Sequence, residues 1–210
     1  MLNRTFYNAA GVREEDLPFS ARSEMLFARI RPFFEKLIFQ NAEVLELCCG
    51  NGRMSFALEK LGARVYGLDF AEEVVAFAEA YAQKMKSKAK FYVADVTDFH
   101  LPQKFDLVFL AQNNLAEFSQ SDFLKMLACI YAHLKTGGKF LLEFYERLGG
   151  ETTDVLSVPE KGEFYYRTYG WNATQAESEV RKFFGDVHIE CDEIEIRGRK
   201  KTRFVIIACR

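Results

Sequence analysis

The 210 residues contain no run of roughly 18 uncharged apolar residues, the length a membrane span needs. The opening stretch, MLNRTFYNAAGVREE, lacks the apolar core of a secretory signal, so the expected compartment is the cytoplasm. A basic surplus is missing too. The formal net charge is −2, the wrong balance for a protein that depends on neutralising many phosphates, and no nucleic-acid partner is announced. The five cysteines form no CxxC pair and no disulfide-like spacing. The adjacent pair Cys48 and Cys49 reads as small packing residues. His100, His133 and His188 fall on a loop, a helix and a strand without partners at ligand spacing, so no metal site is expected. His133 falls near the end of a predicted helix, where a cation is favoured.

The chain is long enough for one domain with a full core and short for two, so a single domain over residues 1–210 is expected. From 43 to 144, short apolar runs alternate with amphipathic stretches, as in a parallel sheet with crossover helices. The runs are Val44–Leu47, Val65–Leu68, Phe91–Ala94, Phe105–Ala111 and Lys139–Phe144. The intervening helices carry apolar stripes at Met54, Ala57, Leu58 and Leu61, then at Val74, Phe77, Tyr81 and Met85. A third uses Leu124, Leu127, Tyr131 and Leu134, with Gly137 and Gly138 expected to end it.

Upstream, Leu26, Ile30, Phe33, Phe34 and Leu37 predict a helix that Pro32 kinks or divides, within a helical cap over residues 1–40. Downstream, Asn172 and Gln175 resemble a capping box opening a helix that Gly185 closes. Two further strands, Asp186–Ile196 and Arg203–Cys209, flank a basic turn from Arg197 to Thr202. So short a loop joins antiparallel neighbours, and the sheet should end in a hairpin. Residues 145–171 read as an irregular insertion with an extra strand at Phe164–Tyr169. Its aromatic residues are either core filler or the wall of a binding pocket.

The turn Val44-Leu-Glu-Leu-Cys-Cys-Gly-Asn-Gly-Arg53 carries the strongest functional signal: a buried strand, two glycines, then a helix start. Glycine there lets the backbone turn tightly and a ligand approach closely. Such a turn is shared by many nucleotide-binding folds. Here Glu46 ends the first strand, Asp69 the second, and Asp95 follows the third, placing three acids at the carboxyl edge where open α/β sheets bind ligands.

With these motifs, and with Phe105–Asn114 and Leu134–Phe140 as a fourth strand and the turn into a fifth, the chain resembles the class I S-adenosylmethionine (SAM)-dependent methyltransferases. The resemblance covers roughly residues 41–145. It implies an α/β Rossmann-like three-layer sandwich whose mostly parallel seven-stranded sheet ends in an antiparallel hairpin. It also implies SAM as cofactor and S-adenosylhomocysteine as product. The family's cofactor site maps onto Glu46, Cys48, Gly50, Asn51, Gly52 and Arg53 of the first turn. Asp69 and Phe70 would meet the ribose and adenine, Asp95 and Val96 the adenine edge, and Ala111 and Gln112 the methionine end.

No obligatory catalytic residue follows from this chemistry, because in-line methyl transfer rests on alignment. Segments entering at the same sheet edge supply the acceptor-site candidates Tyr7, Asn113, Asn114, Glu117, Tyr145, Arg167 and Trp171. A small-molecule acceptor is expected, since only a modest insertion is at hand to build its site. The alternatives are a methyltransferase acting on RNA or protein, a non-catalytic SAM-binding module and, more distantly, an NAD(P)-binding oxidoreductase. The Asn/Asp-Pro-Pro-aromatic motif of many macromolecular amino-group methyltransferases is replaced here by Gln112-Asn-Asn-Leu115.

Overall fold

The computed structural model describes residues 2–196 and 198–210. Strands β1 (Glu43–Leu47), β2 (Arg64–Asp69), β3 (Lys90–Val93), β4 (Phe105–Leu110) and β5 (Leu134–Tyr145) pair in parallel, and β8 (Asp186–Ile196) and β9 (Arg199–Cys209) complete the sheet. The order is β3-β2-β1-β4-β5-β9-β8, with β9 antiparallel to both its neighbours. Strand order reverses between β1 and β4, and ligand crevices of open α/β sheets form beside such a switch point.

Helices α2 (Ala21–Leu37), α3 (Arg53–Lys60) and α4 (Glu72–Met85) pack on one face around Ile30, Phe34, Leu58 and Phe109. Helices α5 (Gln120–His133) and α6 (Ala173–Val180) cover the other, around Phe105, Ile130, Phe140 and Val180. Burial on both faces explains why the central strands read as unbroken apolar runs. Among the described residues no helix is long and apolar enough to cross a membrane.

Several local expectations shift. Pro32 lies inside a continuous α2, because Ile30, Phe33 and Phe34 on either side of it are buried against the sheet. The stripe of α4 runs through Val74, Val75, Ala78 and Ala82, leaving Met85 half exposed. That of α5 runs through Phe123, Met126, Leu127 and Ile130, with Tyr131 on the rim. Gly137 and Gly138 do not end α5; they lie within β5, where the pairing register shifts and Gly137 donates to Arg210 O at 2.9 Å. A Cβ on Gly138 would fall 2.9 Å from the carbonyls of Lys135 and Phe105.

Asn172 caps α6 as expected, accepting from Gln175 N at 2.8 Å, but the helix ends at Val180, short of Gly185. The terminal hairpin turn is tighter than expected, so residues 199–202 belong to β9; Arg197 lies outside the described residues. His133 is buried and neutral: its Nε2 accepts from Leu101 N at 3.0 Å, Nδ1 faces Cys129 O at 2.8 Å, and burial lowers its pKa. It is therefore no helix-end cation.

At the rim, the expected helical cap and the strand expected at Phe164–Tyr169 take a more regular form than foreseen. Helix α1 (Leu2–Ala10) precedes a 3-10 turn at Glu14–Asp16. The 145–171 segment is a regular two-stranded antiparallel sheet of β6 (Thr152–Val158) and β7 (Gly162–Thr168). Asn3 ties α1 to this hairpin, its amide donating to Arg167 O at 3.0 Å and accepting from Arg167 N at 2.8 Å.

Candidate active site

The turn after β1 is built on left-handed backbone. Cys48 (φ 56°), Gly50 (φ 52°) and Gly52 (φ 77°) all have positive φ. A Cβ on Gly52 would lie 2.7 Å from the Phe91 ring, so this glycine answers both to conformation and to close packing. Gly67 in β2, overlooked in the sequence reading, serves the same turn, since a Cβ there would meet Cys49 Sγ at 2.7 Å. A lone glycine inside a strand was the available signal.

Asp69 ends β2 and braces the turn. One carboxylate oxygen accepts from Gly50 N and the other from Ala71 N, each at 2.9 Å. Each oxygen keeps acceptor capacity beyond these two bonds. Glu46, at the end of β1, is buried and accepts from Ser55 Oγ at 2.5 Å. Burial pushes its pKa up to about 8, and the Ser55 hydroxyl and the Arg53 charge only partly oppose this. Burial likewise raises Asp69.

Above these strand ends lies a cavity of about 480 Å³. It collects Glu46, Cys48, Gly50, Asn51 and Arg53 from the first turn, Asp69 and Phe70 from the second, and Gln112 from the loop after β4. Of the acceptor candidates it collects Tyr7, Asn113, Asn114 and Glu117. Gln112 and Asn113 are both left-handed (φ 61° and 63°). They are pinned by Gln112 N donating to the buried Glu143 carboxylate at 2.6 Å and Tyr145 N donating to Asn113 Oδ1 at 2.9 Å. A second cavity of about 240 Å³ shares Phe70 and Glu117 and adds Asp95, Thr97 and Arg167. Asp95 is held there by the Thr97 hydroxyl at 2.7 Å and the Thr97 N–H at 2.9 Å.

Five expected residues line neither cavity. Gly52, Val96 and Ala111 are buried behind the walls. Trp171, expected at the acceptor pocket, is core: it is 3% exposed, stands edge-on to Phe123 and donates to Phe118 O at 3.0 Å. Tyr145 turns to Glu143, and burial, followed by the Glu143 charge, raises the phenol's pKa.

Asp16, Arg13 and Arg22 on one wall and Arg147 on another have no counterpart among the expected residues, whereas Tyr166 is one of the insertion aromatics and lines the pocket. Asp16 binds three arginines, Arg13 at 2.5 Å, Arg53 at 3.0 Å and Arg22 at 3.3 Å, and its backbone carbonyl accepts from Asn51 Nδ2 at 2.6 Å. These residues belong to loop and rim segments whose pattern has no fixed spacing to the glycine turn.

Opposite, three segments meet at Glu117. Tyr7 donates to its carboxylate at 2.5 Å, Tyr166 at 2.9 Å and Asn3 Nδ2 at 3.2 Å. The two phenol oxygens are 3.1 Å apart, and the Tyr7 ring stands edge-on to Phe70.

Residues 44–138 match a family model described as a methyltransferase domain. Cypemycin N-terminal methyltransferase from Streptomyces sp is 31% identical over 119 residues, which are 53% of this chain and 47% of that protein. Phosphoethanolamine N-methyltransferase 1 from Arabidopsis thaliana is 26% identical over 190 residues, 83% of this chain and 37% of that protein. The chain thus spans about half or less of the length of these relatives. Among solved structures, a SAM-dependent methyltransferase from Methanosarcina mazei superposes with a TM-score of 0.71 at 20% identity, covering 85% of this chain and 97% of that one. The glycopeptide N-methyltransferase MtfA complexed with SAM gives 0.68 at 19% identity, covering 95% and 100%.

Proposed function

We propose that the chain transfers a methyl group from SAM to a small-molecule acceptor, a reading supported by the match of residues 44–138 to a methyltransferase-domain model and by the likeness of the fold to SAM-dependent methyltransferases of known structure. The observation that carries this reading is the Asp69 carboxylate, which faces the larger cavity at the end of β2 with spare acceptor capacity on both oxygens. Two vicinal ribose hydroxyls are the complement of such a group. Glu46 strengthens the fit, because a buried carboxylate whose charge burial disfavours gains from a cationic ligand, and SAM brings an ammonium and a sulfonium. Phe70 and Asp95, sharing the smaller cavity, suit a planar base with an exocyclic amine.

When bound, SAM supplies an electrophilic methyl group open to in-line displacement. The protein's part is to hold both reactants in line and keep water away, which can contribute several kcal/mol to lowering the barrier. Arg13, Arg22 and Asp16 wall one side of the larger cavity, and Tyr7, Glu117 and Tyr166 the other. The latter three, with Asn113 and Asn114, are the proposed acceptor side. Relatives such as phosphoethanolamine N-methyltransferase support a small acceptor.

Calorimetry tests the reading directly. SAM and S-adenosylhomocysteine are expected to bind and NAD is not; NAD binding with neither of the others would overturn it. Release of S-adenosylhomocysteine in the presence of small amines, alcohols or thiols then separates an enzyme from a binding module, and EDTA should not abolish turnover.

A further inference from the structure

Acids and bases are matched unevenly around the larger cavity. At Asp16, three arginines surround one carboxylate. At Glu117 the carboxylate also takes three hydrogen bonds, but every donor is neutral: two phenols and an amide. Arginines that share its cavities or lie on helix α1 are engaged elsewhere: Arg167 with Glu151 at 3.0 Å, Arg147 with Thr152 at 2.8 Å and Arg4 with Phe70 O at 3.0 Å. Among the described residues Glu117 has no ion-pair partner, yet it lines both cavities. The Tyr7 and Tyr166 rings flank it and stand edge-on to Phe70 and Phe6 respectively. A desolvated carboxylate without countercharge, set between aromatic rings, is the complement of an organic ammonium group. An alcohol would offer the same carboxylate one hydrogen bond and no charge.

Resting on the methyl-transfer reading of this cavity, we infer that Glu117, Tyr7 and Tyr166 form the acceptor subsite and that the acceptor is an amine, entering as its ammonium ion. Glu117 takes one proton from R–NH3⁺, leaving R–NH2 and a neutral carboxyl group. The freed lone pair forms the N–C bond as the C–S bond breaks, the bonding electrons stay on sulfur, and the product departs as R–NH2⁺–CH3. Glu117 then returns its proton to water. Burial already raises the pKa of Glu117 toward that role. The two phenols orient the carboxylate and present their rings to the incoming alkyl groups.

The test uses the full chain loaded with S-adenosylhomocysteine and a pair of probes that each carry three methyl groups, trimethylammonium chloride and tert-butanol, followed by NMR, with sodium chloride as the ionic control. Trimethylammonium should bind at least about tenfold more tightly, the factor set by ~1.4 kcal/mol. It should show transferred NOEs from its methyl groups to the Tyr7 and Tyr166 rings. Glu117→Gln should erase the preference. Equal binding of the two probes, a preference that survives Glu117→Gln, or NOEs only to other residues would each overturn the inference. The NOE result stands on the unaltered protein, so it decides the matter even where the variant fails to fold. Failure to bind S-adenosylhomocysteine at all would instead sink the methyl-transfer reading itself.

Discussion

The cavity has a floor and a roof, and they are held together by different means. The floor, at the ends of β1, β2 and β4, is anchored by strand pairing and by backbone N–H groups donating to buried acids, as Gly50 does to Asp69 and Gln112 to Glu143. The roof, made of α1 and the β6–β7 hairpin, is tied on by side chains from distant segments: Asn3 and Tyr7 to Glu117, and Arg4 to Phe70 O. Most of β6 is exposed, with Val155 at 54% and its cross-strand partner Tyr165 at 61%. Elements with few buried apolar contacts open at lower free energy than the core they rest on. The floor should therefore fail only with the whole fold, and the roof by itself.

The largest effect expected on the floor is electrostatic. Glu46 has a folded-state pKa near 8 against an ordinary 4.5, so the folded protein binds the extra proton between those values. The ligand-free protein should lose stability as pH rises from about 5 to about 8, by up to several kcal/mol at ~1.4 kcal/mol per unit. Burial raises Asp69 and Glu143 too, with the same sign, so Glu46→Gln should reduce the slope without abolishing it. Urea unfolding across that range measures it, and a flat profile would show that the floor tolerates its charge.

Next, Gly52→Ala forces an L-residue into φ 77° and a methyl group against Phe91 and Phe56. The expected loss is about 2–4 kcal/mol of global stability, summing backbone strain and overpacking. A wild-type urea midpoint would show that the turn gives way as easily as the roof. Asp69→Asn should weaken S-adenosylhomocysteine binding by roughly 1.5–3 kcal/mol, the range for charged hydrogen bonds. Calorimetry reads this, and unchanged affinity removes Asp69 from the site.

The smallest effect belongs to the roof. Tyr7→Phe removes one of three bonds to Glu117 and should cost about 1 kcal/mol locally. Hydrogen exchange should quicken in α1 while the global unfolding midpoint stays put; a fall in that midpoint would show floor and roof to be one cooperative unit.

The same division governs what could be read from the residues. The central strands β1, β2, β4 and β5 announced themselves as apolar runs because their inner stretches are buried on both faces, and the glycine turn because backbone geometry there admits few residue types. The three acids could be assigned to strand ends by counting. The stripes of α4 and α5 were misjudged by a position or two, since apolar residues occupy more than one helix face and periodicity cannot choose between them.

The roof had a weaker signal, a helical cap and one strand at Phe164–Tyr169. Helix α1 is nine residues long, too short to be stable without tertiary contacts, and β6 has no buried alternation to mark it as a strand. Trp171 looked like a pocket aromatic and is core, because what a large ring packs against depends on segments it meets only after folding.

Local pattern thus determined the sheet, its closing hairpin and the acids at its edge, where each residue's role depends on neighbours a few positions away. Only the tertiary structure decided that Asn3, Tyr7, Glu117 and Tyr166 share one hydrogen-bonded group, because contacts across 114 and 159 residues leave no trace in any sequence period. They exist once the chain has closed the loops between them.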